Sequence, residues 1–363
     1  MPPIILDTWN PAPIRERLLA WFLKNRRDLP WRRTRAPYSI WVSEIMLQQT
    51  RVAVVVERYQ AFLAQFPTLL ALALAPEQDV LALWSGLGYY RRARMLHKAA
   101  QFLAEQRHGR LPLTAEELRT LPGIGPYTAA AIASIAHNQP IAVVDGNVER
   151  VLCRLAGWES AGPKGSTVHR RQIDQLANHL LHPARPGDFN QAMMELGATV
   201  CLPRNPQCLA CPISAMCATR GEHKTALRPR MLSREVAHAL SVRTGTGSGP
   251  SQREVLLEQR PDTHTVMPSM WELPLLRNHA VPDEDLRMTV RHAIMQINYY
   301  VRIRTVSEDD IPTLALPGQE RRWVPLHQLE QLPLTGLARK VLARAHLLHI
   351  GPVRLHRIPA KTP

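Results

Sequence analysis

The sequence predicts a mainly α protein with an α+β region towards its C-terminal end. Two observations predict it. Through residues 12–220, apolar positions recur at helical spacing and are cut by glycine and proline breakers. After Cys217 the texture turns polar and basic, and short strand-like runs of β-branched residues follow.

Each element has its own signal. Residues 14–25 carry Leu18, Leu19, Phe22 and Leu23 as one helical stripe. Residues 38–49 and 50–66 read as two helices, with Thr50 as the N-cap of the second. Residues 78–83, 90–106 and 115–120 follow, separated by Gly86, Gly88, Gly109 and Pro112. Residues 126–136, 146–156, 172–181 and 189–200 complete the helical series. Residues 236–242, 254–259 and 298–306 read as strands, and 336–348 as a helix. The expected division is residues 1–220, a linker over 221–234, a second domain over 235–350 and a tail over 351–363.

Composition narrows the class of function. The chain has 363 residues, and its formal charge is 45 − 30 = +15. Residues 1–220 contribute 25 − 16 = +9 and the remainder 20 − 14 = +6. A basic excess in both parts is the electrostatic footprint of a nucleic-acid binder. The longest uncharged run, residues 120–144, contains Pro122, Gly123, Gly125, Pro126 and Pro140, which a membrane-spanning helix would not carry. The first residues lack a basic and apolar leader pattern, so a cytoplasmic location is expected.

Four motifs bear chemistry. Leu121-Pro122-Gly123-Ile124-Gly125 lies between two helices, and Gly123 and Gly125 leave backbone N–H groups bare. Such a hairpin, with the helix N-terminus behind it, can hold a phosphate oxygen. An ordinary tight turn is the plain alternative. Asp145 follows an apolar run and precedes a helix, where it would be an N-cap held ionised by the helix dipole. Glu44 lies mid-helix among Trp41, Ile45 and Leu47. On a pocket wall, desolvation would raise its pKa and make it a general acid; on the opposite face it would be a solvated glutamate. Two carboxylates in contrasting environments suit cleavage through an oxocarbenium-like state. Cys201, Cys208, Cys211 and Cys217 form a clustered quartet, spaced for a [4Fe–4S] cluster rather than for the paired knuckles of zinc sites.

These motifs resemble the helix-hairpin-helix iron–sulfur DNA glycosylases, and among them the adenine DNA glycosylases. The resemblance runs through residues 28–32 (DLPWR), 41–50 (WVSEIMLQQT), 84–90 (WSGLGYY), the hairpin, 144–148 (VDGNV), 195–198 (ELGA) and the cysteines. It implies a monofunctional enzyme of base excision repair. Its substrate would be double-stranded DNA with adenine opposite 8-oxoguanine or G, its cofactor a [4Fe–4S] cluster and its state monomeric. Gln49 and Tyr89 match residues that wedge into the duplex. Trp31, Arg32, Leu47 and Glu195 match the adenine pocket, although packing alone would explain Trp31 and Leu47. Glu44 matches the acid that protonates adenine N7. Asp145 matches the carboxylate facing the sugar, with Tyr127 and Asn147 as its partners. Tyr127 stands where lyase-competent relatives carry a nucleophilic lysine.

The second domain resembles the Nudix-like recognition domain of the same family, through residues 270–274 (MWELP) and 322–326 (RWVPL). The glutamate-rich box of Nudix hydrolases is absent. Met295 and Gln296 stand where the family often has serine and histidine to read 8-oxoguanine. The rival readings are a mismatch glycosylase for another base and a catalytically silent DNA-binding protein.

Overall fold

The computed structural model describes residues 10–158, 167–222, 231–245, 253–264, 266–316 and 320–349. The expected tail over 351–363, and most of the expected linker, lie outside the described residues. In chain order the helices are α1 Ala12–Asn25, α2 Pro37–Leu47, α3 Val52–Gln65, α4 Leu69–Leu74, α5 Glu77–Trp84, α6 Arg91–Arg107, α7 Ala115–Leu118, α8 Pro126–His137, α9 Gly146–Ala156, α10 Thr167–Leu180 and α11 Pro186–Thr199. Then come β1 Leu232–Leu240, β2 Val242–Thr244, β3 Arg253–Gln259, β4 Trp271–Glu272, β5 Leu286–Ile294, β6 Ile297–Thr305, α12 Ile311–Leu314, β7 Glu320–Pro325 and α13 Gly336–Arg344. Among the described residues no helix is long and apolar enough to cross a membrane.

Among the described residues two compact units form, and each draws on two stretches of chain: residues between 10 and 48 with those between 102 and 222, and residues 49–101 with those between 231 and 349. In the first, helices α1, α9, α10 and α11 bury Leu18, Phe22, Leu152, Leu176, Phe189 and Leu196 in one apolar core. Glycines set the closest approaches. A Cβ on Gly187 would lie 2.5 Å from the Ser134 carbonyl oxygen, and one on Gly197 would lie 2.7 Å from the Asn147 Cβ. Helix α11 therefore presses on α8 and on the first turn of α9.

The second unit holds two small sheets. In one, β6 lies between β1 (parallel) and β5 (antiparallel). In the other, β3 is paired with β2, β4 and β7, all antiparallel. Helix α13 packs Leu337, Val341 and Leu342 into the sheet core. The strand β1 starts at Leu232, inside the stretch expected as linker. Strands β5 and β7 carry no strong apolar signal because alternate positions are exposed. Thr50 does not cap α3: Arg51 occupies that position with no side-chain bond. The Thr50 hydroxyl instead donates to the Leu87 carbonyl at 3.3 Å and accepts from Arg92 at 3.1 Å.

The segment 270–274 ties this unit together. The Trp271 N–H donates to the Pro333 carbonyl, and the Thr335 N–H donates to the Trp271 carbonyl, both at 2.9 Å. Thr335, fully buried, accepts from the Ala338 N–H as N-cap of α13 and donates to Glu272 at 3.2 Å. Thr335→Ala should therefore cost about 1–2 kcal/mol, the usual range for a lost cap with a buried acceptor left unpaired. Thr335→Ser should keep most of that stability. Urea unfolding of both variants checks this, and equal midpoints would contradict it.

Candidate active site

Within the first unit, three helix positions converge. Helix α2 buries every residue from Ile40 to Met46, so Glu44 faces inward. The residue is 6% exposed. Burial pushes it up to about 7, and the charge of Asp145 adds to that, against a hydrogen bond from Tyr127 and the charge of Arg32. The Tyr127 hydroxyl, from the first turn of α8, donates not to Asp145, as expected, but to Glu44 Oε2 at 3.0 Å, and lies 3.5 Å from Met194 Sδ. Burial likewise raises the Tyr127 phenol. Glu44 thus meets an O–H donor rather than an ion pair, which leaves Oε1 to carry a proton.

Asp145 is the N-cap of α9. Its Oδ1 accepts from the backbone N–H of Asn147 at 2.9 Å and of Val148 at 2.7 Å, and its Oδ2 accepts from the Asn147 side chain at 3.0 Å. The approach to it is stapled by Asn190, which accepts from the Val143 N–H and donates to the Ile141 carbonyl and to Ser134. The same helix turn holds Arg150. It donates to Asn147 Oδ1 at 2.9 Å, to the Gly197 carbonyl at 2.8 Å and to the Cys201 carbonyl at 2.9 Å. A continuous line of hydrogen bonds thus runs from the cysteine segment to the Asp145 carboxylate.

Glu195 is not a free polar wall. It is 1% exposed and takes both Arg27, at 2.6 Å, and Arg32, at 2.8 Å. Burial alone would raise this carboxyl, but the arginine donors outweigh it and hold it at about 2. Arg32 also stacks 5.4 Å from the centroid of the Phe22 ring. Trp31 is buried in the short 3₁₀ turn Pro30–Arg32, and Leu47, the last residue of α2, is half-buried. Arg27, Met194 and Arg150 were not among the expected site residues. Arg150 alone had a sequence signal, three residues after Asn147 on one helix face.

In the hairpin, only Gly123 uses a left-handed backbone (φ 76°), whereas Gly125 is extended at φ −86° as the N-cap of α8. Both glycines are exposed, with Ile124 buried between them. A Cβ on Gly125 would meet nothing within 4 Å, so the amide edge there is bare.

The four clustered cysteines line one cavity of about 30 Å³ together with Arg154, Ser214 and Arg220. Arg154 donates to Cys201 Sγ at 3.4 Å, and the Arg220 N–H to Cys217 Sγ at 3.5 Å. Burial pushes the Cys211 thiol up to about 11. Among the described residues no three acidic, histidine or cysteine side chains are gathered as a single-ion site. Cys153 is a separate, fully buried core residue.

The expected wedge residues lie in the second unit. Gln49 (φ 55°) and Tyr89 (φ 47°) both take the left-handed conformation, and Tyr89 is 52% exposed. Arg92 donates to the carbonyls of Leu87 and Gly88 at 3.0 Å and packs on the Trp84 and Tyr89 rings. Arg94 is engaged by Glu77 and the Pro268 carbonyl. Neither is the free phosphate ligand that a basic run suggests.

Residues 42–176 match the HhH-GPD superfamily of base excision DNA repair proteins. Over these residues the helical part of this chain is similar to that superfamily. It is similar to the human adenine DNA glycosylase, with 51% identity over 223 residues, covering 59% of this chain and 40% of that protein. The Arabidopsis thaliana adenine DNA glycosylase is 44% identical over 230 residues, covering 56% of this chain and 36% of that one. For the adenine DNA glycosylase of Buchnera aphidicola subsp. Acyrthosiphon pisum the identity is 37% over 212 residues, with coverage of 57% and 59%. The chain therefore spans between 36% and 59% of the length of these relatives. A solved thermostable thymine-DNA glycosylase matches with a TM-score of 0.53 and 29% identity, over 58% of this chain and 96% of that one.

The Glu195 pairing has a pH signature. Its folded pKa lies below the ordinary carboxylate value, so it contributes stability above about pH 4.5 that is lost as pH falls towards 2. Glu195→Gln should melt well below the parent protein at pH 7, with the gap closing as pH approaches 3. Calorimetric scans across that range test it, and a gap independent of pH would count against the pairing.

Proposed function

We propose that this chain is a monofunctional DNA glycosylase that removes adenine mispaired with 8-oxoguanine or G from double-stranded DNA. The single observation that carries the reading is the buried, proton-holding Glu44 beside the capped carboxylate Asp145. Base flipping out of the duplex costs a few kcal/mol and delivers the base to such a pocket. Glu44 Oε1 then donates its proton to adenine N7, while Tyr127 fixes Oε2. The glycosidic bond breaks as the base leaves. Asp145, which accepts from two backbone N–H groups, faces the positive charge that develops on the sugar. Water adds at the sugar carbon, its released proton returns to the Glu44 carboxylate, and an abasic site remains. Asn147 and Arg150 orient Asp145, and the Arg27–Glu195–Arg32 group builds the polar side of the pocket. Tyr127 offers no amine, so no Schiff base forms.

The cysteine quartet supports a [4Fe–4S] cluster. All four line one cavity, the donor set is entirely sulfur, and two arginines border it where thiolate charge would gather. Metal ligation supplies the charge compensation that a raised Cys211 thiol lacks by itself. When bound, the cluster would brace the segment whose Cys201 carbonyl anchors Arg150. Residues 235–350 are proposed as a Nudix-like recognition region. Its candidate reading loop is the two-residue turn of the β5–β6 hairpin, where Met295 is 74% exposed.

Single-turnover excision on A:8-oxoguanine, A:G, A:C and T:G duplexes tests the reading. The T:G arm covers the other base named among the similar structures. Glu44→Gln should lose about 10²–10⁴-fold in rate. Because Glu44 acts protonated, excision by the parent enzyme should fall as pH rises through about 7. Near-normal turnover of Glu44→Gln, or preferred cleavage of T:G, would overturn the proposal.

Purified protein should contain about four irons. One zinc and no iron after anaerobic purification would rule out the cluster.

A further inference from the structure

Beside the exposed loop that carries Tyr89, the second unit holds two arginines that the proposed chemistry does not use. Arg339, on α13, donates from Nη1 to the Ser85 hydroxyl at 3.3 Å. Arg58, on α3, lies against the next residue: a Cβ on Gly86 would sit 3.6 Å from its Nη2. The two guanidiniums thus flank one dipeptide. That dipeptide offers them little. The Ser85 hydroxyl donates to the Leu334 carbonyl at 3.3 Å, and the same carbonyl takes the Tyr90 hydroxyl at 2.9 Å. Among the described residues the Arg58 guanidinium makes no hydrogen bond or ion pair. Glu57 and Glu330 act on the pair only at range.

Both arginines are half-buried. Burial first, and the charge of Arg339 next, bring the Arg58 guanidinium down to about 10. Two like charges held partly out of water, one without an acceptor, form an unfavourable arrangement in the free protein. Gly86 is exposed and has no side chain, and its φ of 97° keeps larger residues away. The pair is therefore open to solvent over Gly86. Planar guanidinium forks match the oxygens of a phosphate group.

We propose that Arg58 and Arg339, across the Ser85–Gly86 turn, bind one phosphate group, and that it is a phosphodiester of the DNA backbone next to the loop bearing Tyr89. The DNA part rests on the glycosylase reading above, whereas the anion site stands without it. A simple structural role makes the opposite forecast, because arginines that only brace the fold would lower stability when removed.

The experiment compares the full chain with Arg58→Gln, Arg339→Gln and Arg58→Lys. Thermal unfolding is followed in chloride and in inorganic phosphate at matched ionic strength. Duplex affinity is followed by anisotropy over a salt series. Phosphate should raise the melting temperature of the parent and of neither Gln variant. In chloride the Gln variants should melt no lower than the parent, since one of two repelling charges is gone. On DNA each should bind about tenfold more weakly, with the slope of log K against log salt reduced by about 0.9, one phosphate's share. Arg58→Lys keeps its charge and should keep the slope. Gln variants that melt lower in chloride and still gain from phosphate would overturn the site. A phosphate effect with an unchanged DNA slope would overturn the DNA assignment. A parent protein that gains from phosphate but does not bind the duplex would refute the glycosylase reading while supporting the anion site.

Discussion

A carboxyl group sealed in an apolar wall sets the terms for the rest of the first unit. Among the described residues Glu44 has no cation within hydrogen-bond reach; its partner is the Tyr127 hydroxyl. A buried carboxylate without an ion pair is costly, and the group answers by keeping its proton. Arg32 could have neutralised it, but Glu195 takes Arg32 instead. The buried Arg27–Glu195–Arg32 group therefore does two things. It satisfies its own charges, and it withholds a strong counter-ion from Glu44. Without Glu195, more of the Arg32 charge would act on the Glu44 carboxyl and favour its anion.

Asp145 is the counterpart, and its environment comes from the backbone. Two N–H groups at the head of α9 and the Asn147 amide surround it. Nothing about the residue type separates Asp145 from Glu44; position on a helix does. One lies inside a helix whose inward face is apolar, and the other lies at a helix start where N–H groups are unpaired. Gly197 allows α11 to close on Asn147, and Arg150 then links Asn147 to the Cys201 carbonyl. The placement of one carboxylate is thus anchored in a segment more than fifty residues further along the chain.

This explains what the sequence made legible. Glu44, Tyr127, Asp145, Asn147 and the cysteines sit in recognisable local motifs, although the Tyr127–Glu44 bond that joins two of them spans 83 positions. Arg27 does not. It stands in a basic run, Arg26-Arg27, that reads as a solvated face, and its partner lies 168 positions away. Met194 similarly meets Tyr127 across 67 positions. The fold followed the same rule. Helices with an apolar stripe were found within a few residues of their ends. The uniform Leu69–Leu74 run has no such stripe and carries no helical signal in the sequence. Strands β5 and β7, with arginines at exposed alternate positions, resemble loops until pairing is known. The membership of the two units was also hidden, because residues 49–101 pack with a partner that begins near residue 231.

The second unit shows where the chain tolerates unfavourable local states. Gln49 and Tyr89 are both left-handed, a conformation that costs on the order of 1–3 kcal/mol for residues with a side chain. Gly86 and Gly88 in the same loop are left-handed too, but without that penalty. Arg92 offsets part of the strain by gathering the carbonyls of Leu87 and Gly88 and the Thr50 hydroxyl into one guanidinium. That bonding leaves Tyr89 projecting into solvent rather than folding back. Nearby, Arg58 and Arg339 repel each other at Ser85–Gly86. Left-handed backbone also occurs in this unit at Met267, Ser269, Met295 and His346, whereas the Tyr89 loop combines it with a flanking arginine pair. Unfavourable terms persist in a marginally stable protein when something outside it relieves them. A duplex that accepts two projecting side chains and supplies a phosphate to the arginine pair would relieve both at once.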